Sequence, residues 1–121
     1  FRLIKALTPG PFTFILKATH EVPRRLQHPK RKTVGIRIPN HAVAQALLHE
    51  LNEPLFTTTL LLPGDEHALQ DPYEIRERLQ HEIDLVIDSG VVEYHPTTII
   101  ACDEGTPTIV RQGLGLAPML E

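Results

Sequence analysis

Thr8-Pro9-Gly10-Pro11-Phe12-Thr13-Phe14-Ile15-Leu16 is the stretch on which the fold turns. Two prolines around a glycine cannot continue a helix, and each pushes its predecessor toward extended geometry. The residues before it, with apolar Phe1, Ile4 and Leu7, read as the last turns of an amphipathic helix. Those after it, 12–18, read as a strand: Thr13 and Ile15 lie on one face, Phe12, Phe14 and Leu16 on the other. Both faces are largely apolar, which predicts an interior strand. The helix has no cap ahead of it, so residues upstream of Phe1 are expected.

Moving outward, residues 23–32 form a basic, proline-interrupted connection with a short helix expected at 24–27. Residues 33–39 alternate as the next strand, with Val34, Ile36 and Ile38 inward and Thr33, Gly35 and Arg37 outward. Asn40 is the expected N-cap of a helix over 41–51. A short strand at 54–59 runs into Leu60-Leu61-Leu62, expected to pack inward, and a Pro63-Gly64 turn. Asp71-Pro72-Tyr73-Glu74 opens a helix to about residue 82, with an acid at the cap and proline at the first position. Strands at 85–87 and 97–101 flank a turn at Gly90, and a last strand at 107–111 precedes a glycine-rich tail. This order predicts an α/β fold on a mixed sheet.

Composition narrows the class. The chain has 121 residues, 41% hydrophobic and 22% charged, enough for a modest core. No apolar run reaches membrane-spanning length and no signal peptide opens the chain. A single cysteine, Cys102, fits a reducing compartment, and a cytoplasmic protein is expected. The net charge of −3 conceals a division: residues 1–37 hold nine of the twelve Lys and Arg against one acid, Glu21, a net of +8. The remainder carries three basic and fourteen acidic residues, a net of −11. Such a split points the first third of the chain at an anion, or marks only a basic loop.

Several groups could carry chemistry. The 8–13 loop is stiff enough to present backbone N–H donors to a phosphate or carboxylate, with the Thr13 hydroxyl beside them; a plain turn is the competing reading. Arg37 and Arg111 stand near strand ends, where open α/β sheets bind ligands, and guanidinium geometry suits oxyanions. Thr57-Thr58-Thr59 supplies three hydroxyls, although threonine is a common strand residue. The seven histidines include no His-x-x-x-His pair, so no metal site is expected. Nucleotide-binding glycine fingerprints, a phosphate loop and a Gly-x-Ser-x-Gly elbow are all absent.

Taken in order, these segments resemble the YrdC/YciO family, most closely its YciO-like branch. Pro9-Gly10-Pro11-Phe12-Thr13 resembles its Pro-Gly-Pro-aromatic-Thr strand entry, and Arg37-Ile38-Pro39 its Arg-x-Pro strand. Residues 57–64 stand in the place of its Ser-Thr-Ser-Ala-Asn-x-Ser-Gly loop. Asp84 to Thr98, with Pro96-Thr97-Thr98, is similar to its Asp-x-x-x-Asp-x-Gly … Pro-Ser-Thr segment, and Arg111-Gln112-Gly113 to its closing Arg-x-Gly. The resemblance implies a YrdC-like (ribB-like) twisted open mixed sheet with flanking helices and a deep basic cleft. It also implies that residues 1–121 are the C-terminal part of a single such domain, incomplete at the N-terminus.

The resemblance further implies the chemistry of L-threonylcarbamoyladenylate synthases, which serve tRNA threonylcarbamoyladenosine modification. These join L-threonine, bicarbonate and ATP, the last with Mg²⁺ as a substrate complex, and release pyrophosphate. By carry-over, Thr13 would contact threonine or nucleotide and Arg37 an anionic substrate, with Thr57, Thr59, Thr98 and Arg111 at the adenylate. Arg24, Arg25, Lys30, Arg31 and Lys32 would extend the field toward tRNA or double-stranded RNA. Two departures stand out: the family's Lys-x-Arg pair falls ahead of residue 1, and its loop asparagine falls on Leu61. Weak or diverged synthase activity is therefore expected. An RNA-binding module without catalysis and a lapsed paralogue that keeps a small anion are the alternatives.

Overall fold

The computed structural model describes residues 2–120, so Phe1, expected on the apolar face of the first helix, lies outside the described residues. The chain forms two compact units, one of residues up to 45 and from 95 onward, the other of residues 46–94.

In the first unit, helix α1 (Arg2–Leu7) ends where Thr8 Oγ1 donates to the Ile4 carbonyl at 2.6 Å. Gly10 is required by contact: a Cβ there would stand 2.6 Å from the Leu7 carbonyl oxygen. The chain then enters β1 (Phe12–Lys17), which pairs antiparallel with β2 (Thr33–Ile36) and parallel with β3 (Thr98–Ala101). Antiparallel β4 (Thr108–Arg111) completes a mixed sheet of order β2-β1-β3-β4, with β1 inside as expected. Phe12, Phe14 and Ile100 form the core with Ala117, and Leu3, Ile4, Leu7, Ile36 and Leu120 pack against them. Helix α1 and the C-terminal tail therefore cover one face of the sheet. Cys102 packs on the same core, and burial pushes its thiol pKa up. The expected helix at 24–27 is a single 3₁₀ turn, Arg24–Leu26.

Helix α2 (Ala42–Leu51) carries the chain from the first unit into the second. Its cap is His41, not Asn40: the Ala44 N–H donates to His41 Nδ1 at 3.3 Å. The ring nitrogen thus takes the acceptor role assigned to the amide one residue earlier. In the second unit, α3 (Pro72–Leu79) starts as expected, with the Tyr73 N–H donating to Asp71 Oδ1 at 2.9 Å. Arg78 holds Asp65 at 2.8 Å, and Leu79 is buried.

Two expected strands do not form. Residues 54–59 and 85–87 carry no regular structure, and Phe56 and Leu85 are exposed. Both have strand-like composition, but neither finds a ladder partner among the described residues, and an isolated strand leaves its backbone groups unpaired. The Gly90 turn exists without them, closed by the Gly90 N–H donating to Asp88 Oδ1 at 2.8 Å. No described helix is long and apolar enough to cross a membrane.

Candidate anion-binding site

The pairing registers sort the side chains of the sheet. Phe12 lies opposite Thr98 and Phe14 opposite Ile100 and Ile36, which places all five on the core face. Thr13 lies opposite Ile99, and Ile15 opposite Gly35 and Ala101, on the other face. Gly35 keeps the space beside Thr13 open, since a Cβ there would meet the Thr13 methyl at 3.4 Å.

On this second face three side chains meet. The Thr13 and Thr97 hydroxyls are 2.7 Å apart. Arg111 donates from Nε and Nη2 to the Thr97 carbonyl at 3.0 and 2.7 Å, and from Nη2 to Thr97 Oγ1 at 3.1 Å. A proton inventory shows what is left over. One hydroxyl proton closes the bond between the threonines and the other is unused. The Nε–H and both Nη2 protons are committed, while both Nη1 protons are unused among the described residues. The cluster offers donors and a fixed positive charge, the complement of a phosphate or carboxylate.

Arg111 reaches this face because β4 is irregular. Ile100 lies opposite Ile109 and Ile99 opposite Arg111, so Val110 is one residue too many. Strict alternation would give Arg111 the side of Ile109, which pairs into the core face. The bulge shifts the parity by one and puts Arg111 opposite Ile99, on the face of Thr13.

Arg37 is the residue just after β2, beyond the last ladder pair of that strand with β1, Phe14 with Ile36. It is exposed, with no hydrogen bond or ion pair among the described residues. Thr98 is different and corrects the expected assignment. It is fully buried on the core face, where its hydroxyl donates to the Gly115 carbonyl at 2.7 Å and accepts from the Gly113 N–H at 2.9 Å. Thr97, not Thr98, presents its hydroxyl beside Thr13. Sequence reasoning missed it because two adjacent threonines differ only in parity, which depends on β3's register against β1.

Thr57 and Thr59 belong to the second unit and are exposed on irregular backbone. Leu60 and Leu62 are half-buried, whereas Leu61, expected to pack inward, is 51% exposed. A cavity of about 560 Å³ in this unit is lined by Asp65, Glu66, Asp71, Glu74 and Arg78 among others. Its one arginine is already paired with Asp65, so the cavity repels rather than attracts phosphate. Among the described residues no group of His, Cys, Asp and Glu is placed to hold a metal. Arg24, Arg25, Lys30, Arg31 and Lys32 are exposed in the first unit, and none forms an ion pair among the described residues.

Residues 1–113 match the family model Sua5/YciO/YrdC, described as telomere recombination. The uncharacterized protein YciO of Escherichia coli K12 is 52% identical over 115 residues, 95% of this chain and 56% of that protein. Human threonylcarbamoyl-AMP synthase is 36% identical over 90 residues, 74% of this chain and 31% of that protein. The crystal structure of E. coli YciO superimposes with a TM-score of 0.89 at 50% identity, covering 100% of this chain and 59% of that one. Sua5 of P. abyssi complexed with L-threonine gives a TM-score of 0.79 at 26% identity, over 93% of this chain and 33% of that one. The chain thus spans little more than half the length of its YciO relatives.

Proposed function

Since the chain belongs to the Sua5/YciO/YrdC family, we propose that it binds ATP with Mg²⁺ and L-threonine, and serves a diverged form of threonylcarbamoyl-AMP synthesis in the cytoplasm. The observation that carries this reading is the cluster of the Thr13 and Thr97 hydroxyls with the Arg111 guanidinium, which keeps unused donors and a fixed positive charge on one face of the sheet. In the reaction, the threonine amine and bicarbonate give a carbamate and water. A carbamate oxygen attacks the α-phosphorus, the bond to the bridging oxygen breaks, and pyrophosphate leaves. Such chemistry depends on positioning and on neutralising phosphate charge. Arg111 and Arg37 supply cations, while the spare hydroxyl proton orients an oxyanion. Thr57 and Thr59, in the second unit, are proposed as nucleotide contacts from the family resemblance alone.

Leu61 is the departure that makes the activity diverged. It stands where the family's nucleotide loop has asparagine, and leucine offers neither donor nor acceptor. A lost hydrogen bond commonly costs about 0.5–1.5 kcal/mol, so Leu61→Asn is expected to tighten ATP binding roughly two- to tenfold. Calorimetric titration with ATP checks this, alongside pyrophosphate release dependent on both threonine and bicarbonate. Wild-type turnover equal to that of asparagine-bearing synthases would overturn the diverged assignment; release independent of threonine would overturn the reaction itself.

A second reading rests on a separate observation, the five unpaired cations of residues 24–32. They suit the phosphates of tRNA or double-stranded RNA, and such binding weakens steeply with salt. RNA affinity that falls with salt and is unaffected by Arg111→Ala would assign this loop its own role.

A further inference from the structure

Arg111 is the last residue of β4, just past the irregularity that turns it outward. The β4 ladder ends at Arg111, so the segment that follows must be held by something else. It is held from the opposite face of the sheet. Thr98 Oγ1 donates to the Gly115 carbonyl and accepts from the Gly113 N–H. Gln112 Nε2 donates to the Gly115 and Gly113 carbonyls at 2.7 and 3.1 Å. The Leu114 N–H donates to the Pro96 carbonyl at 2.9 Å. Together these bonds press Gly113 so closely on the peptide of residues 96–97 that a Cβ there would lie 2.4 Å from the Thr97 carbonyl oxygen. That oxygen is the one Arg111 grips with two N–H groups.

We propose that Thr98, with Gln112 beside it, is a positioning residue for Arg111: the buried hydroxyl clamps residues 113–115 to β3 and thereby holds the guanidinium on Thr97. The clamp and the guanidinium share one short piece of backbone. Its two ends are fixed by the bulge on one side and the Thr98 hydroxyl on the other. Thr98 never meets the ligand; it sets where the cation stands. The consequence for ligand binding rests on the reading of this face as an oxyanion site.

The test reads Arg111 itself. In ¹H–¹⁵N spectra the Arg111 Nε–H, bonded to the Thr97 carbonyl, is expected to exchange slowly with water in the wild-type protein. Thr98→Val keeps the shape but removes the hydroxyl, and exchange at Arg111 is expected to rise at least tenfold while cooperative melting persists. Thr98→Ser restores the hydroxyl and is expected to restore protection, which a loss of packing alone would not do. Affinity for inorganic pyrophosphate and for MgATP should fall and recover in step. A folded Thr98→Val protein with unchanged Arg111 exchange overturns the proposal. Should that variant not fold, Gln112→Met, at an exposed site, decides: faster Arg111 exchange supports the clamp and unchanged exchange overturns it. If Arg111 exchange follows Thr98 but neither pyrophosphate nor MgATP binds even the wild type, the positioning stands and the nucleotide reading falls.

Discussion

Arg111→Ala is expected to weaken MgATP binding about ten- to a hundredfold with little change in melting temperature. The arginine is exposed and makes no ion pair among the described residues, and its three hydrogen bonds to Thr97 are exposed too, so water can replace its donors and its removal costs the fold little. Its loss from the ligand site is another matter. Hydrogen bonds to charged groups contribute about 1.5–3 kcal/mol, and each 1.4 kcal/mol is tenfold in affinity. Arg111→Lys should recover only part of the loss. A lysine keeps the charge but cannot hold the Thr97 carbonyl with two N–H groups while aiming others at the ligand. Calorimetric titration of both variants provides the measurement, and an unchanged dissociation constant for the alanine variant would remove Arg111 from the site.

Gly113→Ala is expected to destabilise the protein by about 3 kcal/mol or more, the upper end of what overpacking a filled site costs. The new Cβ would lie 2.4 Å from both the Pro96 and Thr97 carbonyl oxygens and 2.5 Å from the Thr97 carbonyl carbon. All three are backbone atoms, and that backbone is tied to Arg111 and Leu114, so no flexible side chain can move aside. Gly105, in the turn between β3 and β4, is the useful contrast. It has φ of +62° and open space around its Cβ position. Gly105→Asn should cost about 1 kcal/mol or less, because asparagine tolerates the left-handed region. Urea midpoints of the two variants, at unchanged m-value, check the difference. A Gly113→Ala midpoint equal to that of Gly105→Asn would mean the 112–115 segment is loosely held.

Much of the architecture was legible in the residues because it rests on local rules. Pro9-Gly10-Pro11 stops a helix wherever it occurs, and alternation sorts Phe12, Phe14 and Leu16 from Thr13 and Ile15 onto the two faces of β1 without reference to any partner. Asp71 and Pro72 begin α3 through contacts within one turn. The alternation of β2 likewise sets Val34 and Ile36 on one face and Gly35 on the other. Family membership was legible too, from five short motifs in order.

What lay outside the sequence depends on which strands meet and in what register. Residues 54–59 and 85–87 have the composition of strands, yet a strand exists only where a neighbour takes its hydrogen bonds. The cap of α2 moved from Asn40 to His41 because the backbone at the helix entrance decides which side chain faces the free N–H groups. The site itself shows this dependence most sharply. Thr97 and Thr98 are neighbours of the same type, and only the pairing of β3 with β1 makes one a surface hydroxyl and the other a buried clamp. Arg111 would share the core face of Ile109 in a regular strand, and one surplus residue, Val110, reverses it. Alternation along a chain is local and the residues alone determined it; the parity between chains is set by long-range pairing, and only the tertiary structure decided that.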